Sequence, residues 1–205
     1  LYVFEHEYPK ETGHIKFHRS TITSNGAPYF TSASPKYIKF SGGPQVGTIY
    51  SESKNRESNL KIDGTKGNTV EFWLKKSSDS WPDTFRKEVL LDINSSNNPA
   101  FANYGRLTIE LQNPINVADS PFMFTYTSGS TGTSTSGLRL GSSAVTKASV
   151  SDGKWHHYAI TVQTSGSVTV FKLFVDGELD HTTTGAYTLG AVTSPLSGTI
   201  GASTN

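Results

Sequence analysis

The residues whose types could do chemistry gather first at Ser151–Ile160, SDGKWHHYAI, where two of the chain's six histidines follow a tryptophan. Paired histidines suggest a metal ligand set or a general base. On an extended strand, however, successive side chains point to opposite faces. Trp155, His157, Ala159 and Thr161 then share one face, and His156, Tyr158, Ile160 and Val162 share the other. The two imidazoles cannot close on one ion from a regular strand. The second face is the more apolar and is expected to meet the core. Both rings are read as packing groups whose nitrogens bond to backbone or to a neighbouring side chain. Nucleophilic catalysis finds no Gly-x-Ser-x-Gly elbow between a strand and a helix. The chain has no cysteine, which excludes thiolate metal sites and disulfides within it.

Aromatic side chains offer a second chemistry, because sugar rings stack on them. Trp73 falls on the polar face of its segment, beside Glu71 and Lys75, and Trp81 lies in the loop SSDSWPDTF. Each is read either as packing or as a ligand contact. Nearby Asn and Ser residues can bond sugar hydroxyls. The ligand-binding candidates are Trp81, Trp73, Asn94 and Asn97.

The elements that must position these residues are nearly all strands. Apolar residues recur at period two in Tyr37–Phe40, Asn68–Lys75, Glu88–Asp92, Arg106–Leu111, Phe122–Tyr126, Leu138–Leu140, Trp155–Val162 and Val168–Val175. Asp176-Gly177 between extended residues predicts a tight hairpin, since both positions of that turn need positive φ. A short helical turn is expected near Asp83–Lys87 and little helix elsewhere. Thr127–Gly137, rich in Ser, Thr and Gly, reads as a long mobile loop. Many antiparallel strands with glycine-rich turns predict an all-β, two-layer antiparallel β-sandwich.

The 205 residues suffice for one such domain. Net charge is +1 with 17% charged residues, which gives no reason to expect a nucleic acid partner. No apolar run is long enough for a membrane helix. The chain opens on Leu1, and its one methionine is Met123, so it is read as a piece of a longer protein. Residues 1–34, with His6, His14 and His18, are expected to form an arm or the end of a preceding domain that contacts other chains. Residues 35–205 are expected to form the sandwich.

Asp152-Gly-Lys-Trp-His-His-Tyr-Ala-Ile160, followed by Leu173-Phe-Val-Asp-Gly177 and preceded by Thr69-Val-Glu-Phe-Trp-Leu-Lys75, resembles the laminin G-like, or concanavalin A-like, jelly-roll family. The resemblance covers roughly Pro35 to Ile200. It implies a closing strand after the Ile-Gly segment that this sequence lacks, so the sandwich is expected without its last strand. The family also includes glucanases with a Glu-x-Asp-x-x-Glu motif, which is missing here. Retaining hydrolysis needs two carboxylates about 5 Å apart. Glu88 and Asp92 are read as sharing a face at i and i+4, with Leu90 between them, while Glu71 and Glu110 are isolated on solvated faces. The chain is therefore expected not to be an enzyme.

Some relatives hold calcium at a loop rim. Calcium takes several oxygen ligands, so it is the one cofactor considered, with Asp92 and Asp63 as metal candidates and Asn98 nearby. Relatives grafted into phage and other virion structural proteins share the Ser/Thr/Gly/Asn-rich, cysteine-free character. The first expectation is accordingly a structural or adhesion module of a virion assembly, homo-oligomeric, with protein partners and a glycan ligand. The alternative is a secreted, lectin-like carbohydrate-binding module.

Overall fold

A computed structural model describes residues 62–78, 81, 86–95, 102–134, 136–194 and 196–201, together with two strands nearer the N-terminus. The strands are β1 (Ile22–Ser24), β2 (Ile38–Gly42), β3 (Asn68–Lys75), β4 (Lys87–Ser95), β5 (Gly105–Gln112), β6 (Phe122–Ser128), β7 (Thr131–Gly132), β8 (Leu138–Leu140), β9 (Trp155–Ser165), β10 (Val168–Val175), β11 (Glu178–Gly185) and β12 (Leu196–Ile200). One short helix, α1 (Lys147–Val150), lies between β8 and β9. All strand pairs are antiparallel. Among the described residues the large sheet has eight strands, in the order β1-β2-β12-β4-β5-β6-β7 with β8 also on β6, and the small sheet runs β11-β10-β9-β3. This is the two-layer all-β sandwich that the alternation predicts.

The core lies between the sheets because each strand presents every second side chain to it. From β5, Leu107, Ile109 and Leu111 are buried. From β9, Tyr158, Ile160 and Val162 are buried, and from β10, Phe171 and Leu173. Aromatic contacts join the layers: Phe122 on β6 lies 4.8 Å from Tyr158 and 6.4 Å from Phe72, and Phe124 meets Phe171 edge-on at 5.8 Å, centroid to centroid. One polar atom in this layer is the Tyr126 hydroxyl, which donates to Asn68 Oδ1 at 2.8 Å. Burial pushes that phenol's pKa well up.

Several local expectations change. The stretch Thr127–Gly137 is not a simple loop, because Thr131–Gly132 folds back on Thr127 and Ser128. Glycine is required there, since a Cβ at Gly132 would sit 2.2 Å from the Tyr126 carbonyl oxygen. Helix α1 has no apolar period to reveal it. It is started by a capping box in which Thr146 and Ser149 exchange side-chain-to-backbone bonds. The helical turn expected near Asp83 lies at residues 82–85 outside the described residues, and Lys87 opens β4. The Asp-Gly turn forms as expected: Asp176 has φ 51° and Gly177 φ 89°.

Leu196–Ile200, after which a closing strand was expected, is β12 and is hydrogen-bonded on both sides, to β2 and to β4. Of residues 1–34, Ile22–Ser24 forms β1 against β2, and the rest lies outside the described residues. Among the described residues no helix is long and apolar enough to cross a membrane.

The aromatic seam sets the stability of the sandwich. Phe122→Ala is expected to cost about 3–5 kcal/mol, measured as a lower urea midpoint. A loss below about 1 kcal/mol would show that the two sheets do not depend on this contact.

Candidate functional site

The side of the small sheet that turns away from the core is built by strand alternation. On β3, Val70, Phe72 and Leu74 pack against the core, so Thr69, Glu71, Trp73 and Lys75 face outward and are exposed. On β9 the buried set is Tyr158, Ile160 and Val162, so Trp155, His157, Ala159 and Thr161 face outward. Register then decides who meets whom. Trp73 pairs with His157, Lys75 with Trp155 and Glu71 with Ala159. Trp73 and Trp155 are thus diagonal neighbours on one face. They are 42% and 38% exposed, large values for indoles.

The Trp73 and His157 rings lie 5.3 Å apart, and His157 Nε2 is 3.7 Å from Glu71 Oε2. Across the sheet, Ala159 pairs with Phe174, and Phe174 with the exposed Leu179 on β11. The apolar surface therefore continues to the sheet edge. Trp73 is among the ligand-binding candidates of the sequence, and Trp155 is not. The signal that could have found it was its shared parity with His157.

His156, on the other parity, does a different job. Its Nδ1 lies 2.7 Å from Asp176 Oδ2 and its Nε2 lies 3.2 Å from Asp152 Oδ1. The other Asp176 oxygen accepts from the His157 amide at 2.8 Å, while the Asp176 amide donates to the His157 carbonyl at 2.8 Å. With a carboxylate at each ring nitrogen, the doubly protonated imidazolium is favoured. The Asp176 bond is the main cause that raises the His156 pKa above 6.5. Partial desolvation pushes Asp176 up, but its bonds to His156 and the His157 amide outweigh this and hold it below 3.8. The Lys154 amide, then His156, hold Asp152 below 3.8. The cluster ties the turn before β9 to the turn after β10.

The structure scatters the other candidates. Asp92 is fully buried on the outward side of the large sheet. It accepts from Arg106 Nε and Nη2 at 3.0 Å each and from Thr108 Oγ1 at 3.0 Å. Asn94 follows on the same strand, opposite Arg106 and Ser197. Asp63 Oδ1 accepts from the Thr65 amide at 3.0 Å and hydroxyl at 2.7 Å. Among the described residues no group of three or more His, Asp or Glu side chains is arranged to hold a metal. Trp81 is partly buried against the core, with Lys76 Nζ 4.5 Å and Lys147 Nζ 5.6 Å from its ring centre. Asn97 and Asn98 lie outside the described residues.

The expected shared face of Glu88 and Asp92 is corrected. A bulge between Val89 and Leu91 leaves Leu90 as an extra residue and inverts the parity. Glu88 pairs with Leu111 and turns inward, where both its oxygens meet Lys76 Nζ at 2.9 and 2.8 Å. Asp92 pairs with Thr108 and turns outward. Glu110 is not on a solvated face either, since Lys87 Nζ bonds it at 2.8 Å and it is mostly buried.

The molecule is thus an antiparallel β-sandwich of two sheets, the smaller of which carries an aromatic outer face. Residues 45–205 match the family described as the Concanavalin A-like lectin/glucanases superfamily, and the chain belongs to it. None of the curated proteins matches the sequence. Among solved structures the chain is similar in fold to an endo-β-1,4-glucuronan lyase from the fungus Trichoderma reesei, at 13% identity over 89% of this chain and 67% of that one, with a TM-score of 0.47. It is similar to a Bacillus licheniformis β-glucanase at 13% identity over 91% and 81%, TM-score 0.36. It is also similar to basic winged bean lectin, at 11% identity over 90% and 82%, TM-score 0.38.

Membership of this family overturns the expectation that the chain is not an enzyme. The family's description joins lectins with glucanases, so membership by itself does not separate binding from catalysis. A missing glucanase motif is no ground for excluding catalysis in a fold that hosts several chemistries. The virion setting finds no support among these relatives.

The histidine clamp has a defined pH signature. His156 has a raised folded-state pKa, so its contribution is fully present below 6.5 and is lost as pH rises through the folded value. Asp152 and Asp176 have lowered values, so theirs is present above 3.8 and is lost as pH falls through the folded values. The clamp therefore contributes most between pH 3.8 and 6.5. His156→Gln is expected to lower Tm in that window more than at alkaline pH, read from melts across pH. An equal loss at every pH would remove the charge from the explanation.

Proposed function

We propose that this chain binds carbohydrate through the outer face of its small sheet. The observation that carries the reading is the pair of exposed tryptophans, Trp73 and Trp155, held diagonally on adjacent strands with His157, Glu71 and Lys75 around them. A sugar ring has an apolar C–H face and an equatorial rim of hydroxyls. Indole rings cover the first, while an imidazole, a carboxylate and an ammonium bond the second. Both strands hold these groups from a packed layer, so little ordering is needed on binding.

Membership of a family described by lectins and glucanases supports the same reading. An extracellular setting is where such a face would meet glycans. Display in several copies, as in the homo-oligomer that the sequence suggests, would add avidity.

A glycan array followed by calorimetry on the best ligand tests the proposal. Burying roughly 80 Å² of indole at about 25 cal/mol per Å² is about 2 kcal/mol, or about thirtyfold in Kd. Trp73→Ala and Trp155→Ala are each expected to weaken binding on that order and leave Tm nearly unchanged, because both rings are exposed. An array with no ligand, or variants that bind as well as the parent, would rule the face out.

A further inference from the structure

The outer face of the small sheet has a second half. Beyond Glu71 toward the start of β3 it dips into a concavity of about 450 Å³ that Lys66, Thr69, Thr161, Gln163, Ser165 and Lys172 help to line. Among the described residues no carboxylate lines it. Lys172 stands between Phe171 and Leu173, both fully buried, so alternation turns it outward, in line with Thr161 on β9. Lys66 is exposed on the turn that precedes β3. Asp63, which bonds Thr65 at 2.7 Å, fixes that turn, and the Lys66 charge acts on its carboxylate. Neither lysine makes an ion pair with a described residue. The concavity is lined from β3, β9 and β10, and the tryptophans lie further along β3 and β9, with Glu71 of β3 between Thr69 and Trp73.

We infer that this half of the face takes the acidic group of an anionic glycan, a carboxylate or a sulfate, whose neighbouring sugar lies on Trp73. The inference rests on the carbohydrate reading and adds the ligand's charge class. A neutral sugar needs donors and acceptors, which the threonine hydroxyls, Gln163 and Ser165 supply. It leaves two ammonium groups without a function. An acidic substituent uses both, through charge-assisted bonds that are stronger than neutral ones. The small net charge of +1 gives no reason to expect a long polyphosphate.

Matched polymers test it: dextran against dextran sulfate, and methyl-esterified pectin against polygalacturonate, each at low and high salt. The anionic member of at least one pair is expected to bind about tenfold tighter at low salt, and salt should close the gap. Whichever pair responds identifies sulfate or carboxylate. The double variant Lys66→Gln/Lys172→Gln should abolish the preference, while Lys154→Gln, at an exposed lysine that does not line the concavity, should keep it.

Equal binding of both members of each pair, a preference that survives in the double variant, or an equal loss in Lys154→Gln would each overturn the inference. If neutral polymers bind in a Trp73-dependent way with no charge preference, only this inference falls. If no polymer binds, the carbohydrate reading falls with it.

Discussion

The contact between the two sheets, made by Tyr158, Ile160 and Val162 of β9 against β6 and its neighbours, is the constraint on which the other features depend. All three side chains are buried, and Tyr158 lies 4.8 Å from Phe122. β9 has hydrogen-bonded neighbours on both sides, β10 and β3. A one-residue slip of β9 would turn Tyr158, Ile160 and Val162 to solvent and drive Trp155 and His157 inward. The burial energy that forbids the slip is therefore also what holds the outward residues in place. Core and candidate site are two faces of one strand.

The rim of the sandwich is organised by polar groups where the hydrophobic contact ends. His156 joins the Asp152 turn to the Asp176 turn. Asp176 occupies positive φ and also accepts from the His157 amide. Lys76, almost wholly buried, meets Glu88 with both of that residue's oxygens. On the outward side of the large sheet, the Arg106 guanidinium forks onto the fully buried Asp92. Burial favours the neutral form of Arg106, but the bonds to Asp92 outweigh this and raise its pKa. Charges taken from water in this way require partners, and each of these has one. The polar network limits what those residues can offer a ligand, and it leaves the small sheet's outer face as the more open surface.

A shared fold with lectins and carbohydrate-active enzymes sets a class and leaves the chemistry to the site. In this chain the small sheet's outer face combines stacking surface and hydrogen-bonding groups along β3 and β9 with Lys172 on β10 and Lys66 on the turn before β3. These are the groups that the proposed binding of a charged sugar polymer would use, since apolar faces and acidic groups alternate along such a ligand.

Much of this was legible from the residues alone. Period two located β3, β8 and β10 to the residue, and Asp176-Gly177 located the hairpin turn, because alternation and positive φ are local properties of the chain. Parity also separated His156 from His157 and placed Trp73 outward. Tertiary structure decided the rest. The bulge at Leu90, which sends Glu88 and Asp92 to opposite faces, follows from the match of β4 to β5. The nearness of Trp73 to Trp155, of His156 to Asp176 and of Lys66 to Lys172 depends on which strands pair and in what register. Those pairings are set by burial summed over residues far apart in sequence, and no local pattern in the chain encodes such a sum.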